Sequence, residues 1–356
     1  MFTVTGVKRI LTESAPSAAT MKAQCMMLTI LCYLTLIPII NVDVSGMKYQ
    51  NEIDSAVKYL VNHYNSDVGL IYESEDEGSH WIKLIENPEY YWSYQETFWI
   101  YSDNLFAAYA LKPYSPIVSD KIRESIKYYG VPPSNKFEAV IGQQVGPDRA
   151  ARNIIINQTD KYAILIRIHN GSFADPRFKY ADALLYEALT LHYQNKTVKA
   201  RQLVNEVYQM WNGSILVDYG VTEKILTEGT APTDIGYGHN FKLALLLYTS
   251  KVTRTNLPDY DLLEEKLWSS QNVNGGIISL TLGDGTPIGS ANCETTALTL
   301  LIYNDDLTAR LSGYPIPEHP DIIDLLLITL VICYVIVRFM IGWRRKVSPV
   351  NDKCLT

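Results

Sequence analysis

The chain has 356 residues, 47% of them hydrophobic, so it can bury a sizeable core. Its formal charge is −7 and no basic stripe runs along it, which argues against nucleic acid as a partner. Of five cysteines only Cys293 lies between the two most apolar segments, so the region between them has no internal disulfide to hold it.

Those two apolar segments set the expected layout. Met26 to Ile40 follows Lys22 and precedes the small residues Ser45 and Gly46, the order of a secretory signal. Near the other end, Leu325 to Trp343 is nineteen residues with one charge, Arg338, and Arg344, Arg345 and Lys346 follow at once. A bilayer core needs about 20 apolar residues of helix, and short basic flanks stay on the cytoplasmic side. The expected organisation is therefore an extension and signal over 1–46 and an extracellular domain over 47–303. A Pro-rich stalk over 304–320, a transmembrane helix over 321–343 and a cytoplasmic tail over 344–356 complete it. The expectation is a single-pass cell-membrane protein, with the membrane as one partner.

Within the outer region the apolar spacing predicts eight helices. The first is Asn51 to Tyr64. An acidic burst, Glu73, Glu75, Asp76 and Glu77, then His80 and Trp81, leads to the second, Glu96 to Leu111. The burst reads as a solvated loop, with calcium binding as the sharper reading. Helix three, Ile117 to Tyr129, ends at Gly130, Pro132 and Pro133. Two β-branched runs, Asn153 to Ile156 and Tyr162 to His169, predict a hairpin. Helices four to eight follow at Lys179 to Tyr193, Val198 to Trp211, His239 to Tyr248, Tyr260 to Ser270 and Ala291 to Tyr303. A second hairpin, marked by Gly275, Gly276, Gly283 and Gly285, lies between the last two.

The helices pair as hairpins, with long connections inside each pair and short ones between pairs. The even members are the more apolar, as inner helices should be, and each carries an ionisable residue shortly before its apolar body: Asp103, Asp182, His239 and Glu294. Stacked hairpins bury a continuous core between neighbours. The stretch Leu267 to Ile277, with Gln271 and the Gly275–Gly276 pair, followed by the apolar run from Ala291, resembles a repeat signature of the α/α-toroid class. That class includes terpenoid cyclases, prenyltransferase β-subunits and six-hairpin glycosidases. The resemblance implies a mainly α fold, an incomplete toroid of about four helical hairpins with small β-hairpin insertions, plus the C-terminal transmembrane helix. It carries no catalytic motif: no Asp-rich cyclase motif is present, and no Asp-x-Cys arrangement surrounds Cys293.

Alternating connection lengths gather the long loops, and the N-termini of the even helices, at one rim. Loops there are the natural binding surface. Two carboxylates across a cleft can work as acid and base on a glycosidic bond, and Asp103 with Glu294 is the first pair to consider, then Glu96 and Asp182. His239, Asp234, His80, Trp81, Trp92 and Tyr94 are candidate substrate contacts, the aromatics as stacking faces for sugars. The bland reading of each acid is a helix cap or dipole partner. Asn-x-Ser/Thr triplets at Asn157, Asn170, Asn195 and Asn212 are glycosylation acceptors. No zinc motif, phosphate loop or nucleophile elbow occurs, so no metal or cofactor is expected. The first reading is a surface protein that binds an extracellular glycan or peptide; the alternative is a glycoside hydrolase or polysaccharide lyase using the paired acids.

Overall fold

A computed structural model of the chain describes residues 48–74, 96–173, 179–219 and 237–313. The chain divides into two compact units, Met1–Gln50 and Asn51–Thr356; of the first, only residues 48–50 are described. The predicted signal, the transmembrane segment, the tail and residues 314–320 of the stalk lie outside the described residues, as do Glu75, Asp76, Glu77, His80, Trp81, Trp92, Tyr94 and Asp234.

Helix α1, Gln50–Asn62, buries Ile53, Ala56, Tyr59 and Leu60 on one face, the spacing that predicts it. Short strands β1, Tyr64–Asn65, and β2, Leu70–Ile71, pair antiparallel after it. The region expected as the second helix departs from expectation. It begins as strand β3, Glu96–Trp99, turns through a π-helix over Ile100–Leu105, and is α-helical only over α2, Phe106–Ala110. Asn104 is the physical reason. Its fully buried amide accepts from Ile71 N at 2.7 Å and donates to Ile71 O and Trp99 O, both at 2.9 Å. A side chain thus takes the place of a strand partner, and the backbone widens around it.

Helix α3, Pro116–Tyr129, starts on proline and stops at Gly130, whose φ of 57° is the left-handed cap that glycine tolerates. A 3₁₀ turn, Phe137–Ile141, precedes β4, Arg149–Gln158, and β5, Tyr162–Phe173. These two form an antiparallel hairpin longer than the predicted one, and β3 joins β5 in parallel, giving the order β3-β5-β4. Then come α4, Ala181–Tyr193, and α5, Thr197–Tyr208. Strand β6, Tyr237–His239, leads into α6, Asn240–Thr253, and α7 spans Tyr260–Trp268. Strands β7, Ile278–Leu282, and β8, Pro287–Ala291, complete an antiparallel sheet with β6 and lead into α8, Cys293–Leu301. Where the stalk was expected to begin, Asp305–Ser312 is a helix, α9, capped by Asn304 Oδ1 accepting from Leu307 N.

The expected fold class is therefore corrected. The described residues are about half helical and carry three small sheets, where a mainly α toroid of hairpins was expected. No described helix is long and apolar enough to cross a membrane, where a C-terminal transmembrane helix was expected.

The inner helices form a circuit: α2 packs on α8, α8 on α6, α6 on α4, and α4 reaches back to the π-helix through the 3₁₀ turn. Helix α6 is buried on nearly every side, including Leu243 to Tyr248, because α4, α5, α7, α8 and α9 all contact it. Outer α7 is tied to the end of α8 by a buried relay: Trp268 Nε1 donates to Tyr303 Oη at 2.7 Å, and Tyr303 donates to Glu264 Oε1 at 2.7 Å. The first turns of α4 and α6 adjoin. Lys242 reaches Asp218 Oδ2 at 2.5 Å, and the same oxygen accepts from Ala181 N at 2.9 Å, so one buried carboxylate serves both helix starts.

Candidate functional site

The circuit brings charged side chains from five segments to one end. Asp103 comes from the π-helix, Glu294 from the first turn of α8, Asp182 from the first turn of α4, Arg167 from β5 and Lys136 from the loop before the 3₁₀ turn. Each acts electrostatically on at least one of the others or is acted on by one.

Asp103 is 1% exposed. Its Oδ1 accepts from Ser102 Oγ at 2.9 Å, and its Oδ2 has no hydrogen-bond partner. Burial, then the charges of Glu73 and Glu294, hold its pKa well above the ordinary carboxylate range. These effects favour its protonated form, and the oxygen without a partner is the one left to carry the proton. Glu294 differs: it is partly exposed, and its pKa rises to about 7. Burial raises it and Asp182 adds to that, while Arg167 and Lys136 oppose. The site thus holds one acid pushed towards its protonated form and one that exchanges its proton near neutrality.

Neither residue is a helix cap. Asn292 caps α8 by accepting from Thr295 N at 2.9 Å, and Asp103 sits in the interior of a π-helix. Asp182 is differently occupied. Lys136 Nζ donates to its Oδ2 at 2.9 Å and also lies 3.6 Å from Asp148. Burial alone would raise the Asp182 pKa, but the charges of Lys136 and Lys242 outweigh it and pull the pKa well below the ordinary value. Asp182 is a fixed negative charge, suited to an ion pair and unsuited to proton transfer.

Four contributors escaped the sequence reading. Glu73 was taken as part of a solvated acidic loop; it is buried, and its Oε2 accepts from Trp99 Nε1 at 2.9 Å. Arg167 stands in an otherwise apolar strand, its guanidinium 5.3 Å from the Trp99 ring centre and its Nε bonded to Asn153 Oδ1 at 3.0 Å. A lone cation in the run YAILIRIH was the available signal. Lys136 follows a proline pair, and Tyr186 sits on the apolar face of α4, so neither stood out. The Tyr186 hydroxyl is buried without a partner and its pKa is far above normal, from burial first and then Glu294 and Asp182. Cys293, next to Glu294, is a buried thiol with its pKa pushed up by burial, Asp103 and Glu73, which removes it as a nucleophile.

Two predicted site residues stand apart. Glu96 opens β3 and accepts from Asn65 Nδ2 at 2.7 Å, so it is a strand residue, where a first helical turn was expected. His239 ends β6, its ring 5.6 Å from that of Phe241. Neither is among the groups whose charge acts on Asp103 or Glu294. Among the described residues no group of His, Cys, Asp and Glu side chains could hold a metal ion. Comparison of the chain with family models, with curated proteins and with solved structures finds no match.

Proposed function

We propose that the chain hydrolyses a glycosidic bond, with Asp103 as general acid and Glu294 as general base. One observation carries this reading: a buried carboxyl with Oδ2 unpartnered and its protonated form favoured feels the charge of a second, partly exposed carboxyl that titrates near pH 7. A module that only binds sugar needs donors and aromatic faces; it has no use for two acids with separated proton affinities. In the reaction the C1–O bond breaks as Asp103 Oδ2–H gives its proton to the departing sugar oxygen. A water adds its hydroxyl to C1 and gives its proton to Glu294, and proton exchange between solvent and the two acids restores the starting state. Glu73 maintains the neutral form of Asp103, and Arg167 keeps Glu294 ionisable.

On this reading the chain works outside the cell, and exposure of all four acceptor asparagines, Asn157, Asn170, Asn195 and Asn212, supports it. The test is reducing-sugar release from a panel of α- and β-linked glycans by the full chain and by Asp103→Asn and Glu294→Gln, each checked for folding by circular dichroism. Cleavage of at least one glycan, reduced at least 100-fold in both folded variants, is expected. Absence of cleavage across the panel, or variants as active as the parent, rejects the hydrolase and returns the chain to the binding class.

A further inference from the structure

Away from the acids lies a groove of about 560 Å³, between α1 on one side and residues 272–274 and 289–291 on the other. Its size falls within the roughly 300–1,000 Å³ of small-molecule sites. The opposite wall is fastened to α1 at both of its segments. Gln271 Nε2 donates to Glu52 O at 2.8 Å and to Gly275 O at 2.9 Å. Gly275, at φ +93°, lies so close that a Cβ there would stand 2.2 Å from Ser55 O. Across the groove, Tyr59 Oη donates to Ala291 O at 2.9 Å. The opening is thus built into the fold, since its walls cannot collapse without breaking these contacts.

We propose that this groove binds a saccharide that carries a carboxylate. Its lining offers amide and hydroxyl groups, which suit vicinal sugar hydroxyls, with Asn62, Asn272 and Asn274 as donors and acceptors. Asn272 Oδ1 is already engaged by Asn274 N and Gly276 N, at 3.0 and 3.1 Å, so its NH₂ is the group of this amide that can donate to a ligand. An aromatic wall runs alongside, with the tilted rings of Tyr59, His63 and Tyr72 in sequence at separations of 4.0 and 4.6 Å, and half-buried Tyr72 is its most accessible member. Among the described residues, the one formal charge in the lining is the Lys58 ammonium, one helical turn from Asn62, and no described carboxylate lines the groove beside it. A neutral sugar would leave that charge unused, and a phosphate would bring close to two negative charges to a single cation, whereas a carboxylate brings one.

The groove and the acids share a partition. Tyr72 faces the groove while its neighbour Glu73 belongs with Asp103, and their N–H groups diverge, to His63 O at 3.1 Å and Thr97 O at 2.8 Å. The saccharide site is therefore separate from the acids, and its occupancy does not depend on them.

Calorimetry and saturation-transfer NMR on the full chain test this with uronate-bearing disaccharides, cellobiouronic acid among them, and their neutral counterparts such as cellobiose. At least one uronate should bind, with its neutral counterpart at least tenfold weaker. Lys58→Glu and the double variant Asn62→Ala/Asn274→Ala should each weaken binding at least tenfold. All three side chains are exposed, so folding is preserved. Asp103→Asn should bind unchanged. The proposal is overturned if no uronate binds, if neutral sugars bind equally, or if Lys58→Glu retains full affinity. It is overturned equally if Asp103→Asn loses binding, since the uronate would then sit among the acids.

Discussion

Asn104 grips Ile71 by both of its backbone groups, accepting from the N–H at 2.7 Å and donating to the carbonyl at 2.9 Å. The same amide holds Trp99 O, so one side chain ties the end of β3, the π-helix and β2 together. Replacing it by leucine leaves three buried backbone groups without partners, each at roughly 1–3 kcal/mol. Asn104→Leu is expected to lose about 3–5 kcal/mol of stability in urea unfolding. Because the widened turn is also what carries Asp103, any folded Asn104→Ala protein should lose glycan cleavage along with stability.

Glu294 should leave a signature in the pH dependence of stability. Its pKa is about 7 when folded and 4.5 in its ordinary state, so between those values the folded protein holds more protons than the unfolded chain. Stability from this group is therefore full below pH 4.5 and is lost as pH rises through 7. The partly exposed side chain limits the effect to about 2 kcal/mol. Asp103, its pKa also raised, adds a loss of the same sign, while Asp182, depressed by Lys136, loses its contribution only in strong acid. Glu294→Gln should flatten the decline between pH 4.5 and 7, measured as urea midpoints across that range. An unchanged slope would remove Glu294 from the titrating pair.

The ion pair of Lys136 with Asp182 separates charge from packing. Both side chains are largely shielded, at 12% and 19% exposure. Lys136→Met strands a carboxylate that has given up most of its hydration, and about 2–4 kcal/mol should be lost. The double variant Lys136→Met/Asp182→Leu should recover most of that loss, since the more buried carboxylate leaves with the lysine and Asp148, the lysine's other partner, is 31% exposed. Thermal unfolding of the single and double variants decides between this and a purely steric role, in which the double variant would be no better.

How far the sequence spoke depends on the range of the interaction involved. Periodicity located α1 and α3 to α8, because an apolar stripe at helical spacing is a local property. The run Glu96 to Leu111 has the same stripe, yet its first four residues are a strand, because Asn104 meets Ile71 from 33 residues away and Glu96 to Trp99 pair with Tyr162 to Leu165. Neither partner is visible in a local window. The carboxylates divide in the same way. Asp103 and Glu294 stand out as ionisable groups beside apolar helix bodies, whereas Glu73 is one of several acids in a row and is distinguished only by the Trp99 indole that meets it. The helix at Asp305–Ser312 was masked by the prolines that follow it, although Asn304 before Asp305 and Asp306 is a recognisable start signal.

Arg167 is the residue whose removal should shift proton affinity without removing either acid. Its charge lowers the pKa of Glu294 and, more weakly, of Asp103, and its flat guanidinium lies 5.3 Å from the Trp99 ring centre. Arg167→Gln takes the charge away and leaves a side chain that can still meet Asn153, so the Glu294 pKa should climb above 7 by about one unit. Cleavage of the glycan would then fall more at pH 6.5 than at pH 8.5, because less Glu294 is ionised at the lower pH, and the acid limb of the rate profile would move upward. Arg167→Lys keeps the charge and loses the stacked plane, so its limb should stay near the parental position while stability drops by about 1 kcal/mol. Carboxyl ¹³C titration of Glu294 in the three proteins reads the shift without any substrate, and equal titration midpoints would show that Arg167 serves the sheet and leaves the acids alone.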